Sequence, residues 1–364
     1  MWCREFPATT TMKNSYMVSR AAPTPLVDAH GIYALFESGD LHAVSHSGGP
    51  LWHRALFDDA ERKFQNGHGY GSSPAQSAEA VIILADHQGP SSLTAISKSS
   101  GEILWQTDRT SRSSWTSPHV TQAGESTQVI VSSGGTVDGY DAMSGKQLWS
   151  RLGIAGNLIP SATVVGDLVF VGASESRRGV SPEAAAASNC CLRIRPDMTE
   201  GFELLWKANK AVCHYISPLV HDGFVYYVNN LGVIRCLEAS TGQEVYAARM
   251  GEPCWAQPVA VADRLYFFGK RGVTKVVRAG AVYELLAENR LWPVDQPPVP
   301  DASYEYTPES ETDSRPREAS DEYMDPLVYA AIPAGDAFIV RLGTHLFRID
   351  GKSKPVDVAT EARQ

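Results

Sequence analysis

The stretch from Asp141 to Trp149 reads DAMSGKQLW, and its outline returns along the chain, as SKSSGEILW ending at Trp105 and EASTGQEVY ending at Tyr246. Aligned on the final aromatic, Trp52, Trp105, Trp149, Trp206 and Tyr246 follow one another at steps of 53, 44, 57 and 40 residues. A period of this size constrains the fold more than any single motif, because a self-similar chain folds into an array of like units. Upstream of the aromatics the grammar is consistent. A Pro-containing start (TPLV at Thr24, SSPA at Ser72, TSPHV at Thr116, ISPLV at Ile216) leads into an apolar run, such as residues 31–36, 81–84, 129–131, 168–171 or 224–228. A short strand then enters the turn, and a last strand carries the aromatic. That makes four short strands per unit, joined by Gly-, Asn-, Asp- and Ser-rich turns. Helical periodicity is nowhere sustained.

Two weaker copies, within 257–285 and 327–349, extend the series, the last without a clear fourth strand. Seven units of four strands predict an all-β propeller, with blades packed radially around a channel. The missing strand is expected from Trp2-Cys3-Arg4-Glu5-Phe6, which would tie the chain's two ends together. The expected organisation is one domain over 1–364 with two insertions, a loop at 173–189 and an acidic Pro/Ser-rich segment at 292–326.

The repeated phrase reads as a docking device. Its Ser/Thr-Gly pair supplies a tight turn, with Gly at positive φ. The small residue six positions before that Gly (Ala95, Gly139) leaves space, and the aromatic four after it is expected to fill such space from the neighbouring blade. A buried ring of this kind removes roughly 150–250 Å² from water. No catalytic step needs it. Trp52, Trp105, Trp149, Trp206 and Tyr246 are therefore assigned to structure.

The pattern A-x-D-x-x-[ST]-G-x-x-x-W, seen in AISKSSGEILW, GYDAMSGKQLW and CLEASTGQEVY, resembles the PQQ-type (pyrroloquinoline-quinone) repeat of the WD40/YVTN-like propeller superfamily. The likeness spans roughly Ala21 to Lys352. Within that superfamily the chain looks most like the bacterial BamB-like proteins of planctomycete type. That resemblance implies eight blades in a complete member, with a further N-terminal blade behind an export signal, and hence a periplasmic or exported location. This chain departs by starting at what resembles the last strand of that first blade, and MWCREFPATT has no signal-peptide core. The resemblance also implies an envelope role in protein assembly. Its enzymatic side implies the alternative, a PQQ-dependent alcohol or sugar dehydrogenase with a disulfide between adjacent cysteines and a bound calcium ion. Cys190-Cys191 invites that reading, but on a strand the two side chains face opposite sides of the sheet.

Other features exclude functions. A net charge of −9 argues against nucleic acid, which requires clustered Lys and Arg. No apolar run approaches the ~20 residues that cross a bilayer. The six cysteines show no CxxC. His42 and His46, four apart on a strand, stand ~13 Å apart, too far to share a metal. Residues 67–71, GHGYG, have no helix behind them and so are no phosphate loop. The expectation is a monomeric, non-catalytic scaffold with no cofactor and no metal, which binds a protein, peptide or small polar ligand. A sensor module detached from a larger protein is a third reading.

The binding face is placed by one alignment. The residue three before the Pro, or its equivalent, that opens each blade is Ala22, Gly71, Trp115, Ile159, Tyr215, Trp255 and Val328 in turn. First strands line the channel, so these positions ring one mouth. Tyr70, Trp115, His214, Tyr215 and Trp255 are the candidate ligand-binding residues, since aromatics dominate binding hot spots. Both insertions are expected on this face. From Asp301 to Asp325 the longer one holds nine acidic residues against Arg315 and Arg317, a balance of −7.

Overall fold

Each unit folds as a four-stranded antiparallel meander, because short strands separated by tight turns pair with their neighbours in sequence. In the computed structural model these meanders are blade one (26–55), blade two (75–109), blade three (119–152), blade four (163–207), blade five (219–249) and blade six (259–290). A three-stranded seventh (330–350) completes the set. The structure describes residues 2–10, 22–58, 64–65, 69–175, 180–298, 326–343 and 345–351. The acidic run 301–325, and residues 67–68 of the GHGYG stretch, lie outside them. Consecutive first strands from blade two to blade seven are neighbours around the ring.

The core is divided between the blades. In blade two's second strand, Ala80–Ala85, every residue is buried. Val81, Ile83 and Ala85 join one cluster with Tyr33, Leu35 and Leu41 of blade one. Ala80, Ile82 and Leu84 join another with Val129, Val131 and Tyr140 of blade three. Alternation along a strand thus feeds two cores, and this is why the second strands read as unbroken apolar runs. Cys190 and Cys191 obey the same rule, entering separate clusters on opposite sides of blade four. Both are free thiols, and burial pushes the Cys190 thiol up to about 11.

The turn phrase holds neighbouring blades together. Gly101, Gly145, Gly201 and Gly242 sit at φ of +71 to +74°, in hairpins whose register shifts by one residue beside the turn. Such a bulge favours Gly in the left-handed region. The absent Cβ matters as much. A Cβ on Gly101, Gly145, Gly201 or Gly242 would lie 2.3–2.8 Å from Trp52, Trp105, Trp149 or Trp206 of the preceding blade. Three of those indoles also donate to the carbonyl three residues before their glycine: Trp52 Nε1 to Lys98 O at 2.8 Å, Trp105 to Ala142 O at 3.0 Å, and Trp206 to Ala239 O at 2.9 Å. Trp149 donates instead to Gln128 Oε1 at 2.9 Å. Tyr246 packs edge-on against Tyr283 of blade six, centroids 5.7 Å apart.

One detail differs from the sequence reading. The small residues Ala95 and Gly139 stand directly across the sheet from Trp105 and Trp149 of their own blades. A Cβ on Gly139 would lie 2.2 Å from Trp149. The small residue therefore lets its own blade's ring lie flat, and the socket is the next blade's turn glycine. Blade six lacks the device, carrying Ala287 at the aromatic's place opposite Val276.

The segment 2–9 runs beside blade one and pairs with no strand. Its Trp2 nonetheless takes the peg position. The indole covers Gly48, where a Cβ would lie 2.5 Å away, and donates to His46 O at 2.9 Å. Arg4 Nε donates to Gly48 O at 2.7 Å. The insertion between the second and third strands of blade four carries a short helix, Pro182–Ser188, where a loop was expected. The Ser181 side chain accepts from Ala184 N at its start.

Blades two and three share a buried ionic contact. The Arg109 guanidinium donates to both oxygens of Asp86 (2.9 and 3.1 Å), to Asp138 Oδ2 (3.2 Å) and to the Tyr140 hydroxyl. The three charged side chains are at most 3% exposed.

Trp105→Ala is expected to lower the unfolding free energy by about 3–5 kcal/mol, read from the urea midpoint at unchanged slope. Gly145→Ala should be costly alone and less so on the Trp105→Ala background, where its closest clash partner is gone while the strain of φ +71° and the contact with Thr107 Oγ1 remain. Additive losses would show that ring and glycine are not one contact.

Candidate functional site

Five blades begin with an extended dipeptide because the residue before a proline is forced out of the helical region. The residues before Pro25, Pro74, Pro118, Pro218 and Pro258 are Thr24, Ser73, Ser117, Ser217 and Gln257. Ser161 takes that place in blade four. They form a continuous belt. Thr24 N donates to Ser73 Oγ (2.9 Å), Ser73 N to Ser117 Oγ (2.9 Å), and Ser117 N to Ser161 Oγ (2.8 Å). Ser161 N donates to Ser217 Oγ (3.1 Å), Ser217 N to Gln257 Oε1 (2.9 Å), and Gln257 Nε2 back to Ser217 O (3.2 Å). The inner rim of blades one to six is therefore laced by at least one hydrogen bond per junction.

Two residues before the belt, on the same side of an extended backbone, come Ala22, Gly71, Trp115, Ile159, Tyr215 and Trp255. All six line one cavity of about 620 Å³ at the channel mouth, together with Tyr329, Ile332, Ile339, Arg341 and Leu346 of blade seven. Tyr215 and Trp255 are tilted together with centroids 4.9 Å apart, and Trp255 lies 6.0 Å from Tyr329. The Lys270 ammonium stands 5.6 Å from the Trp255 ring centre, within cation–π range. Trp115 leans over Gly71, where a Cβ would be 3.2 Å from its ring, and its indole N–H donates to Gly69 O at 3.1 Å.

Polar residues tie down three of the inter-blade linkers that carry these positions. Asn189 Oδ1 accepts from Ala173 N at 2.9 Å and Cys213 N at 3.4 Å, anchoring the linker that carries Tyr215. Asn157 does the same before Ile159, accepting from Gly135 N and donating to Ser132 Oγ and Thr136 O. Glu252 accepts from Arg271 N and Val273 N ahead of Trp255. Burial pushes the Glu252 carboxyl up, against those donors.

The other expected residues sit differently. Tyr70 is 1% exposed and does not line the cavity. Its ring packs on Phe57 and Phe64, and its hydroxyl donates to Leu84 O at 3.0 Å. His214 meets Tyr215 edge-on at 4.2 Å, behind the lining. Val328 is wholly buried, and its neighbour Tyr329 faces the cavity instead.

A second cluster escaped the sequence reading, which weighed His42 only against His46 and set that pair aside as too far apart. The hairpin of blade one sets His42 directly opposite His53, with Asp40 two residues before His42 on the same face. The imidazoles stack at 4.4 Å, and Phe6 stacks on His42 at 4.0 Å. Asp40 accepts at Oδ1 from His53 Nε2 (2.8 Å) and Thr9 Oγ, and at Oδ2 from Ser38 Oγ (2.6 Å) and Thr9 N (2.9 Å). Burial alone would raise this carboxyl, but the bonds from Ser38, Thr9 and His53 outweigh it and hold it at about 2. Burial, and then the neighbouring His53, push His42 down. The signal lay in the D-x-H spacing and the turn SHSGG, which together set the cross-strand partner.

With this geometry the chain is a seven-bladed propeller with an aromatic channel mouth. Residues 37–188 match the family model described as outer membrane protein assembly factor BamB. The crystal structure of BamB from Moraxella catarrhalis is similar at a TM-score of 0.57 and 12% identity, over 87% of this chain and 81% of that one. The RRP9 WD40 repeats are similar at 0.52 and 10%, over 91% and 89%. A europium-containing methanol dehydrogenase is similar at 0.51 and 11%, over 78% and 72%. No curated protein matches the sequence. At these identities the structural likenesses establish the fold alone.

Asp40's depressed pKa makes its stabilisation complete above about pH 5 and lost as pH falls through 4 towards 2, amounting to about 2 kcal/mol. Asp40→Asn should flatten the acid limb of the stability–pH curve by that amount. An acid limb identical in the variant would contradict the assignment.

Proposed function

We propose that this chain is a non-catalytic binding scaffold that takes a protein or peptide segment at the aromatic mouth, in an envelope-assembly role like that for which the outer membrane protein assembly factor BamB is named. The observation that carries this reading is the composition of the cavity wall. It offers Trp115, Tyr215, Trp255 and Tyr329, the serine belt and Arg341, and no carboxylate, histidine, cysteine or lysine among the described lining residues. General acid–base or nucleophilic catalysis needs a base beside the reacting group. Here the belt hydroxyls already accept backbone N–H groups. The wall suits recognition, with rigid rings giving contact area and hydroxyls giving polar partners at its base.

The dehydrogenase alternative draws nothing from this wall. Calcium prefers carboxylate and carbonyl oxygens, and Cys190 and Cys191 point to opposite faces of their blade. On the scaffold reading, peptides selected from a random library against the full chain should lose about 30-fold or more in affinity on Trp255→Ala or Tyr215→Ala. Unfolding midpoints would check that each variant stays folded. Peptides that bind both variants as well as the wild type would move the site elsewhere. Added PQQ and calcium should yield no dye reduction with alcohols or sugars, and turnover there would overturn the reading.

A further inference from the structure

We infer that Asp40, His42 and His53 form a binding site for a divalent first-row transition ion of the zinc kind, set in blade one away from the channel mouth. One ligand atom from each residue lies within 4.8 Å of the other two. Antiparallel pairing produces this closeness. Directly opposed residues bring their side chains together on one face of the sheet, and the i, i+2 relation adds the carboxylate to that face. The donor set is two imidazoles and one carboxylate, which suits zinc and its neighbours and not the oxygen-seeking calcium or magnesium.

Two further observations point to a ligand. His42 is 7% exposed, and its Nε2 is buried without a hydrogen-bond partner among the described residues. A buried polar atom left unsatisfied is costly, and a bound ion would remove that cost. Asp40 is also oriented from behind, since Ser38 and Thr9 hold both its oxygens, as outer-shell donors do for metal-binding carboxylates. The side chain of His53 is 42% exposed, so the cluster has a buried floor and one open side for entry.

In the structure the two imidazoles are stacked. Parallel rings cannot aim in-plane lone pairs at one ion, so binding requires His53, the exposed partner, to turn about χ2. Its Nε2 then leaves Asp40 for the ion, and the proton on Nε2 passes through solvent to Nδ1. Asp40 Oδ1, released by His53, supplies the third bond. Three protein ligands leave one tetrahedral position for water. The ion would fasten the hairpin of blade one to the segment 2–9, which reaches the cluster through Thr9 and Phe6.

The test is a calorimetric titration of the full chain with zinc chloride, repeated with cobalt(II), whose visible d–d bands report coordination. One saturable equivalent is expected, with cobalt bands of tetrahedral intensity and no displacement by calcium. His53→Gln, at an exposed position that leaves the circular dichroism unchanged, and His42→Gln should each weaken binding by at least about 100-fold. Thr9→Val, which removes only an orienting hydroxyl, should weaken it about 10-fold. His46→Gln should leave it as it is. The proposal is overturned if no one-to-one binding occurs, if calcium displaces the ion, or if both histidine variants bind as the wild type does.

Discussion

The contact on which most of this ring depends is an indole laid against a glycine that belongs to the next blade. Hydrogen-bond ladders end at the edges of each sheet, so nothing in the secondary structure joins one blade to another. The outer strand of a blade carries the ring, and the bulged turn of its neighbour offers a surface with no Cβ on it. Nearer the axis, the belt of Ser and Gln side chains makes a second tie. Between blades two and three the Arg109 cluster adds a third, valuable mainly because removing one member would strand a buried charge.

Much of this was legible from order along the chain. The turn phrase is local, spanning a dozen residues whose strand pairing follows from the hairpin itself, so its structural role and the propeller could be read directly. Partner assignment was harder. The register shift beside each turn decides which residue faces which, and it places Ala95 and Gly139 under their own blades' rings instead of a neighbour's. The helix 182–188 had a start signal in Ser181-Pro182, but seven residues are too few to show a period. Asp86, just past a strand, and Arg109 and Asp138, on two others, come from two blades, and no spacing in sequence announces their meeting.

The candidate mouth divides in the same way. Trp115, Tyr215 and Trp255 share a fixed offset from the blade-opening residue, so counting from the prolines finds all three. Tyr70 is next to Gly71 in sequence and therefore on the other side of an extended backbone, where it packs under the rim with Phe57 and Phe64. Blade seven opens on Val328 with no proline, and its cavity-facing ring is Tyr329, one position on. Alternation explains both departures, and it also explains His42 and His53, whose closeness is invisible until the hairpin is closed.

The belt of pre-proline side chains has a consequence for selectivity. Because each junction around blades one to six is spanned by a bond of 2.8–3.1 Å, the aperture has a set diameter and its aromatic panels a set tilt. On the scaffold reading proposed above, a guest would meet a rigid gauge whose ordering entropy was spent when the protein folded. Discrimination at such an opening rests on the guest's own shape and stiffness, so a chain already extended would be admitted in preference to one that must first uncoil.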